Sequence, residues 1–239
     1  RFQPLPAARL EAENLAALWR KAAGAAEGSG DGGDVLVRVG AQASEPAFKA
    51  EAHGRRIVHL ATHAFVAGGE CASAIDGLRG GRIALAEQNM LNLAGDNPLL
   101  MSGLALAGAN LREQARPGQD DGILTGEEIA SLDFTGTEWV VLSACDTGAG
   151  KVQNGEGILG LRRAFETAGA QTLIMSLWSV EDEATRQWMG ALYSERLSGK
   201  ATAESVRGAD RAILEARRKA GRSTRPFFWG GFVATGSWR

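Results

Sequence analysis

Short buried strands alternating with amphipathic helices predict an α/β protein with a mostly parallel sheet covered by helices on both faces. Two observations carry that prediction. Apolar, β-branched runs stand at 56–62 (RIVHLAT), 138–144 (EWVVLSA) and 171–178 (QTLIMSLW), too short for ordinary helices and without polar alternation, as in strands buried on both faces. Helix-patterned stretches near 157–168, 183–198 and 202–220 separate or follow them. At 239 residues, 44% hydrophobic and 23% charged, the chain has material for one large domain over 1–239 whose core needs no disulfide or metal staple.

Taken in order, residues 7–23 read as a helix with Leu10, Asn14, Leu15, Leu18 and Ala22 along one stripe. The glycine-rich stretch 24–33 ends it as a surface loop, and a short strand is expected at 34–39. A short helix over 45–53 leads into the strand 56–62, which is expected to end at His63. Residues 64–82 are glycine-rich and irregular, and a strand-like GLALAG follows at 103–108. Asp121-Gly122 reads as a turn, and Thr125 with Glu128 as a capping box opening a short helix. The strand 138–144 ends at Cys145, and a glycine-rich loop over 146–157 leads into a helix that presents Ile158, Leu161, Phe165 and Ala168 and stops at Gly169. After the strand 171–178 come the acidic loop SVEDEAT, two helices, Pro226 and a last strand at 231–235.

Composition narrows the function classes. A formal net charge of −2 argues against a direct nucleic-acid partner, which needs a basic surplus. No apolar run reaches membrane-spanning length, and residues 1–23 carry charges without the apolar block of a signal peptide. Of the two cysteines, Cys71 and Cys145, neither belongs to a CxxC pair, so no zinc site or disulfide framework is expected, and a reducing cytoplasmic compartment fits best. The first residue is Arg1 and not Met, which reads as a fragment of a longer protein.

In open α/β sheets, ligands and catalytic groups lie beyond the carboxyl ends of the strands. His63, Cys145 and the Glu181–Asp182 pair each follow a buried strand. Alone, a cysteine at a strand end is most often a small buried hydrophobe, and a histidine there a hydrogen-bonded structural residue. A thiol and an imidazole at the ends of adjacent strands form instead a nucleophile–base pair. His53 and His59 are weaker candidates, and Cys71 has no base nearby in sequence. Glu181 and Asp182 suit a solvated helix N-terminus; a carboxylate on the rim of the same cleft also suits a basic substrate side chain. GEGILG at 155–160 matches the dinucleotide fingerprint but begins too far beyond the strand, and GAGK at 148–151 lacks the Ser or Thr of a phosphate loop.

HLATHA at 59–64, VVLSACDTGAG at 140–150, GEGILGLRRAFETAGAQTLIMSLWSVEDEAT at 155–185 and PFFWGGFVATG at 226–236 together resemble the motifs of CHAT domains. These are bacterial caspase-like domains commonly found beside tetratricopeptide repeats and related to caspases and separase. LPAARLEAENLAAL at 5–18 and NPLLMSGLALAGA at 97–109 resemble further family segments. The resemblance implies a caspase–haemoglobinase-like fold and a Cys145–His63 dyad. It also implies an oxyanion hole from the backbone N–H groups of Cys145 and Ala64, where caspases and separase carry Gly after the His. The spacing from His63 to Cys145 exceeds the roughly 50 positions usual in caspases; the extra length falls within 64–137. SLWSVED at 176–182 resembles the separase segment that floors an arginine pocket. Asp182 is thereby expected to read the P1 residue and Trp178 to form a pocket wall, with Asp146 and Glu181 as rival carboxylates. The strand ending there is expected to pair with an extended substrate. CHAT domains start with more strands than precede residue 5, which again suggests a missing first part and a repeat or other regulatory region.

The expected activity is a cysteine endopeptidase cutting specific protein substrates after a basic residue, Arg preferred, without cofactor or metal. The alternative is a catalytically silent caspase-like scaffold for protein–protein interaction; both catalytic side chains are present, which disfavours it. A nucleotide-binding α/β protein rests on GEGILG alone.

Overall fold

Where the sequence alternates apolar runs with helix-patterned stretches, the chain forms a central sheet with helices on both faces. The computed structural model describes residues 1–25, 35–66, 98–116, 118–143, 156–178 and 180–237. In chain order these form helices α1 (Pro6–Ala25) and α2 (Glu45–Glu51), strands β1 (Ile57–Leu60) and β2 (His63–Val66), helix α3 (Pro98–Met101) and strands β3 (Ser102–Ala105) and β4 (Ile123–Thr125). Helix α4 (Gly126–Ala130), strand β5 (Trp139–Leu142), helix α5 (Glu156–Thr167) and strand β6 (Thr172–Ser176) follow. The chain continues through α6 (Asp182–Leu197), α7 (Thr202–Lys219) and β7 (Phe232–Gly236).

Strand order in the main sheet is β1-β5-β6-β7, parallel except for the closing β6–β7 pair. Every residue of β5 and of β6 is buried, which explains why neither strand alternates polar with apolar residues. Side chains instead alternate between two cores. Val140, Leu142, Leu173 and Met175 face Leu161, Ala164 and Phe165 of α5 together with Ile129 and Phe134. Trp139, Val141, Ile174 and Phe232 face Leu15 of α1, Trp188, Met189, Leu192 and Tyr193 of α6, and Ala209 and Ile213 of α7.

A second sheet, antiparallel and ordered β2-β3-β4, stands beside the first. Glycine suits Gly103 in its middle strand because a Cβ there would lie 2.7 Å from the Phe65 ring and 2.9 Å from the Leu124 carbonyl. Local signals hold where expected. Glu128 N–H donates to Thr125 Oγ1 at 3.2 Å while Thr125 N–H donates to Glu128 Oε2 at 2.8 Å, closing the capping box. Gly169 ends α5 at φ 101°.

Four expectations need correction. The run 56–62 is not one strand to His63: β1 stops at Leu60, and His63 opens β2 in the other sheet. Thr62 turns the chain, its hydroxyl donating to the Ala105 carbonyl of β3. The strand at 34–39 has no ladder partner among the described residues; 35–39 is held by Arg20 donating to the Val35 carbonyl and by a bidentate Arg38–Glu51 pair at 2.7 and 3.0 Å. α1 continues through Gly24 and Ala25, and the remainder of the expected loop lies outside the described residues. Finally, β6 is a central strand, paired with β5 on one edge and β7 on the other. Over Thr172–Ser176 it has no edge to offer an extended substrate, and the next N–H, of Leu177, already donates to the Gly231 carbonyl at 2.8 Å.

Candidate active site

Parallel pairing of β1 with β5 sets the geometry of the site. Leu60 lies opposite Leu142, and the Ser143 N–H donates to the Leu60 carbonyl at 2.9 Å. His63 follows Leu60, and Cys145 follows Leu142, by the same three positions in sequence. Cys145 and Asp146 lie outside the described residues, as does Cys71.

His63 is 7% exposed. Its Nε2 is 2.6 Å from the Gln3 carbonyl oxygen. A carbonyl only accepts, so Nε2 carries the hydrogen, and in the neutral ring Nδ1 is the acceptor nitrogen. The Phe2 ring lies over the imidazole at 5.5 Å between centroids and also packs on Phe65 at 5.9 Å. A partner orienting His63 was not readable from the sequence: a backbone carbonyl sixty positions away leaves no residue signature. Ala64 is the second residue of β2, opposite Leu104. Its extended backbone makes no demand for positive φ, so a methyl side chain fits there.

Trp178 stands two residues beyond β6, half-buried. Its indole N–H donates to the Phe227 carbonyl at 2.9 Å and its ring stacks on Phe227 at 6.1 Å and 8°. Glycine at 231 makes room for it: a Cβ there would come within 2.8 Å of Val180 Cγ2 and 3.3 Å of the Trp178 indole nitrogen. Glu181 is exposed and precedes α6, with no capping bond from its side chain. Asp182 begins α6, and its carboxylate lies outside what the structure describes.

Two polar clusters escaped sequence reasoning. His59, inside β1, is held on the α1/α6 side of the sheet by Glu11 (Nε2 to Oε1, 2.8 Å) and the Tyr193 hydroxyl (Nδ1, 3.1 Å), so it does not share the surroundings of His63. Burial, and then the Glu11 charge, push the Tyr193 hydroxyl pKa up, keeping it a donor. Elsewhere Lys49 reaches Glu45 and Asp120 at 2.6 Å and Glu128 at 3.0 Å. Among the described residues this carboxylate trio is close enough to hold a metal ion, but the Lys49 ammonium already fills its centre. No described helix is long and apolar enough to cross a membrane.

Comparison with known proteins gives two findings. The CHAT domain family model matches residues 1–237. The chain is similar to tetratricopeptide repeat protein 28 of Mus musculus and of Homo sapiens, 30% identical to each over 115 residues, which is 48% of this chain. The match spans 4% of the length of those relatives.

Proposed function

Because the chain belongs to the CHAT domain family, which is related to caspase-like cysteine proteases, we propose that it is a cysteine endopeptidase cutting specific protein substrates after a basic residue, Arg preferred. Cys145 is the nucleophile and His63 its acid–base partner. Nδ1 of His63 takes the thiol proton, and the thiolate attacks the scissile carbonyl carbon. The C–N bond breaks as Nδ1 returns that proton to the leaving amine. Water, deprotonated by the same nitrogen, then hydrolyses the thioester and restores the thiol. Backbone N–H groups of Cys145 and Ala64 receive the developing oxyanion. Asp182 pairs with the P1 guanidinium, with Trp178 as a wall held in place by Phe227; Asp146 and Glu181 are the rival carboxylates.

The observation that best supports this reading is the β1–β5 pairing. β1 and β5 are parallel neighbours that end side by side, Leu60 opposite Leu142, and His63 and Cys145 follow them by equal numbers of residues. The reading takes 1–239 as one domain working in the cytoplasm without cofactor, metal, direct nucleic-acid partner or membrane. Its partners are a protein substrate and a tetratricopeptide or other regulatory region, a context suggested by the name of the two relatives.

A thiol-reactive peptidyl probe ending in Arg tests the reading. Wild type and Cys71→Ser should be labelled, at Cys145, while Cys145→Ala should not. Cys145→Ala and His63→Ala should each lower cleavage about 10³-fold or more, and the double variant little further. Asp182→Asn should lower Arg-substrate cleavage about 30-fold and spare neutral P1 substrates. Undiminished cleavage by Cys145→Ala would defeat the proposal, and preference for P1 Asp would replace its specificity.

A further inference from the structure

Segment 1–5 has neither helix nor strand, yet it supplies the carbonyl that orients a buried imidazole. A hydrogen bond of 2.6 Å from His63 to such a segment keeps its geometry only if something fixes the segment. A single side-chain amide does so from outside the catalytic strands. Phe2 N–H donates to Asn110 Oδ1 at 2.8 Å, and Asn110 Nδ2 donates to the Phe2 carbonyl at 2.9 Å. Both bonds a strand neighbour would make to residue 2 are thus made by one primary amide.

We propose that Asn110 is a positioning residue for His63: its side-chain amide clamps the Phe2 backbone and thereby sets the adjacent Gln3 carbonyl on His63 Nε2. For its catalytic meaning the inference rests on the His63 role proposed above; the clamp itself does not. Chemistry makes the residue type specific. Asp offers acceptors only and would face the Phe2 carbonyl with a negative charge, while Gln carries the same groups one methylene farther out.

The support beneath Asn110 is firm. It belongs to the 3₁₀ turn Ala109–Gln114, entered through Gly108 at φ 102°. Ala109 is buried, and Gly122 packs on its backbone so closely that a Cβ at 122 would collide with it. Gly122 N–H in turn donates to Oε2 of the buried Glu45 at 2.8 Å. The Phe2 ring, seated between His63 and Phe65, adds a second, apolar hold on the same segment.

The test compares wild type with Asn110→Ala and Asn110→Asp, with Asn110→Gln as a milder variant should either fail to fold by circular dichroism. The chain has three histidines, so ¹⁵N NMR of the imidazole nitrogens resolves His63. In wild type its Nε2 should be the protonated nitrogen of the neutral ring; in the variants the two tautomers should mix. With an Arg-containing fluorogenic peptide, each hydrogen bond lost from the clamp is worth about fivefold, so kcat should fall about 5- to 30-fold with KM within about twofold. The pH profile of Cys145 labelling should shift with it, which a purely structural loss would not cause. Unchanged His63 nitrogen signals in both Asn110→Ala and Asn110→Asp would overturn the clamp. If wild type neither cleaves nor is labelled, the protease reading falls, and the nitrogen signals still decide the clamp.

Discussion

Asp210 offers the most quantitative prediction. It lies on α7, half-buried, and Trp188 of α6 donates its indole N–H to Oδ1 at 2.8 Å. Trp188 is 1% exposed and stacks on Phe232 of β7 at 4.2 Å and 21°, so this bond ties together the helix that begins at Asp182, its neighbour and the closing strand. Burial raises the Asp210 pKa to about 6, against the lowering pull of the Trp188 bond. A carboxyl whose folded pKa exceeds its unfolded value favours the fold when protonated. That contribution is complete below about pH 4 and is lost as the pH climbs through about 6. A rise of roughly two pH units is worth about 3 kcal/mol without screening; the partly solvated position cuts this to about 1–2 kcal/mol. Asp210→Asn keeps the acceptor and removes the charge. It should match wild type near pH 4 and exceed its stability by about 1–2 kcal/mol at pH 8, measured by urea unfolding across that range. Asp210→Ala leaves the buried indole N–H without its acceptor and should cost about 1–3 kcal/mol. A wild-type to Asp210→Asn difference that stays flat from pH 4 to 8 would refute the argument.

Two further substitutions probe the support of the site. Lys49→Met leaves Glu45, Asp120 and Glu128 facing one another and should cost about 2–4 kcal/mol at neutral pH. The Lys49 hydrogen bond holds the Asp120 carboxyl below its ordinary range, a stabilisation present above that range and lost on acidification. The gap between wild type and variant, read by urea unfolding, should therefore narrow as the pH falls below about 4; a constant gap would mean that the ammonium acts by packing alone. Gly231→Ala puts a methyl group against Val180 and the Trp178 indole; if Trp178 walls the P1 pocket, KM for Arg substrates should rise several-fold with little change for Leu substrates, and an equal effect on both would deny Trp178 that role.

Much of the scaffold was legible because its signals are local. Helix periodicity located α1, α6 and α7, the Thr125–Glu128 pair marked a real capping box, and the unbroken apolar runs marked β5 and β6 as buried on both faces. What escaped depends on partners distant in sequence. RIVHLAT at 56–62 reads as one strand ending at His63, since nothing within it announces that Thr62 will bond to Ala105 and divert His63 into a second sheet. The substrate-pairing expectation for β6 failed because the antiparallel return of β7 to its other edge is a fact of topology. His59 looked like a lesser copy of His63, and only the docking of α1 and α6 shows it bound to Glu11 and Tyr193.

That last contact bears on how α1 serves the site. Leu15 and Ala16 are buried, Leu15 in the core shared by the sheet and α6, but apolar packing alone permits sliding along the helix axis. The Glu11–His59 bond does not: at 2.8 Å between side chains 4% and 15% exposed, a displacement of one helical residue would strand a buried carboxylate. Glu11 therefore sets where α1 lies along β1, and residues 2 and 3 follow from the start of that helix. The stretch from His59 to His63 is thus held twice by one N-terminal unit, at His59 through a side chain of α1 and at His63 through the backbone ahead of it. With Asn110 gripping Phe2 from the 3₁₀ turn between β3 and β4, the Gln3 carbonyl is determined by three separate anchors, none of them on β5 or in the segment that carries Cys145.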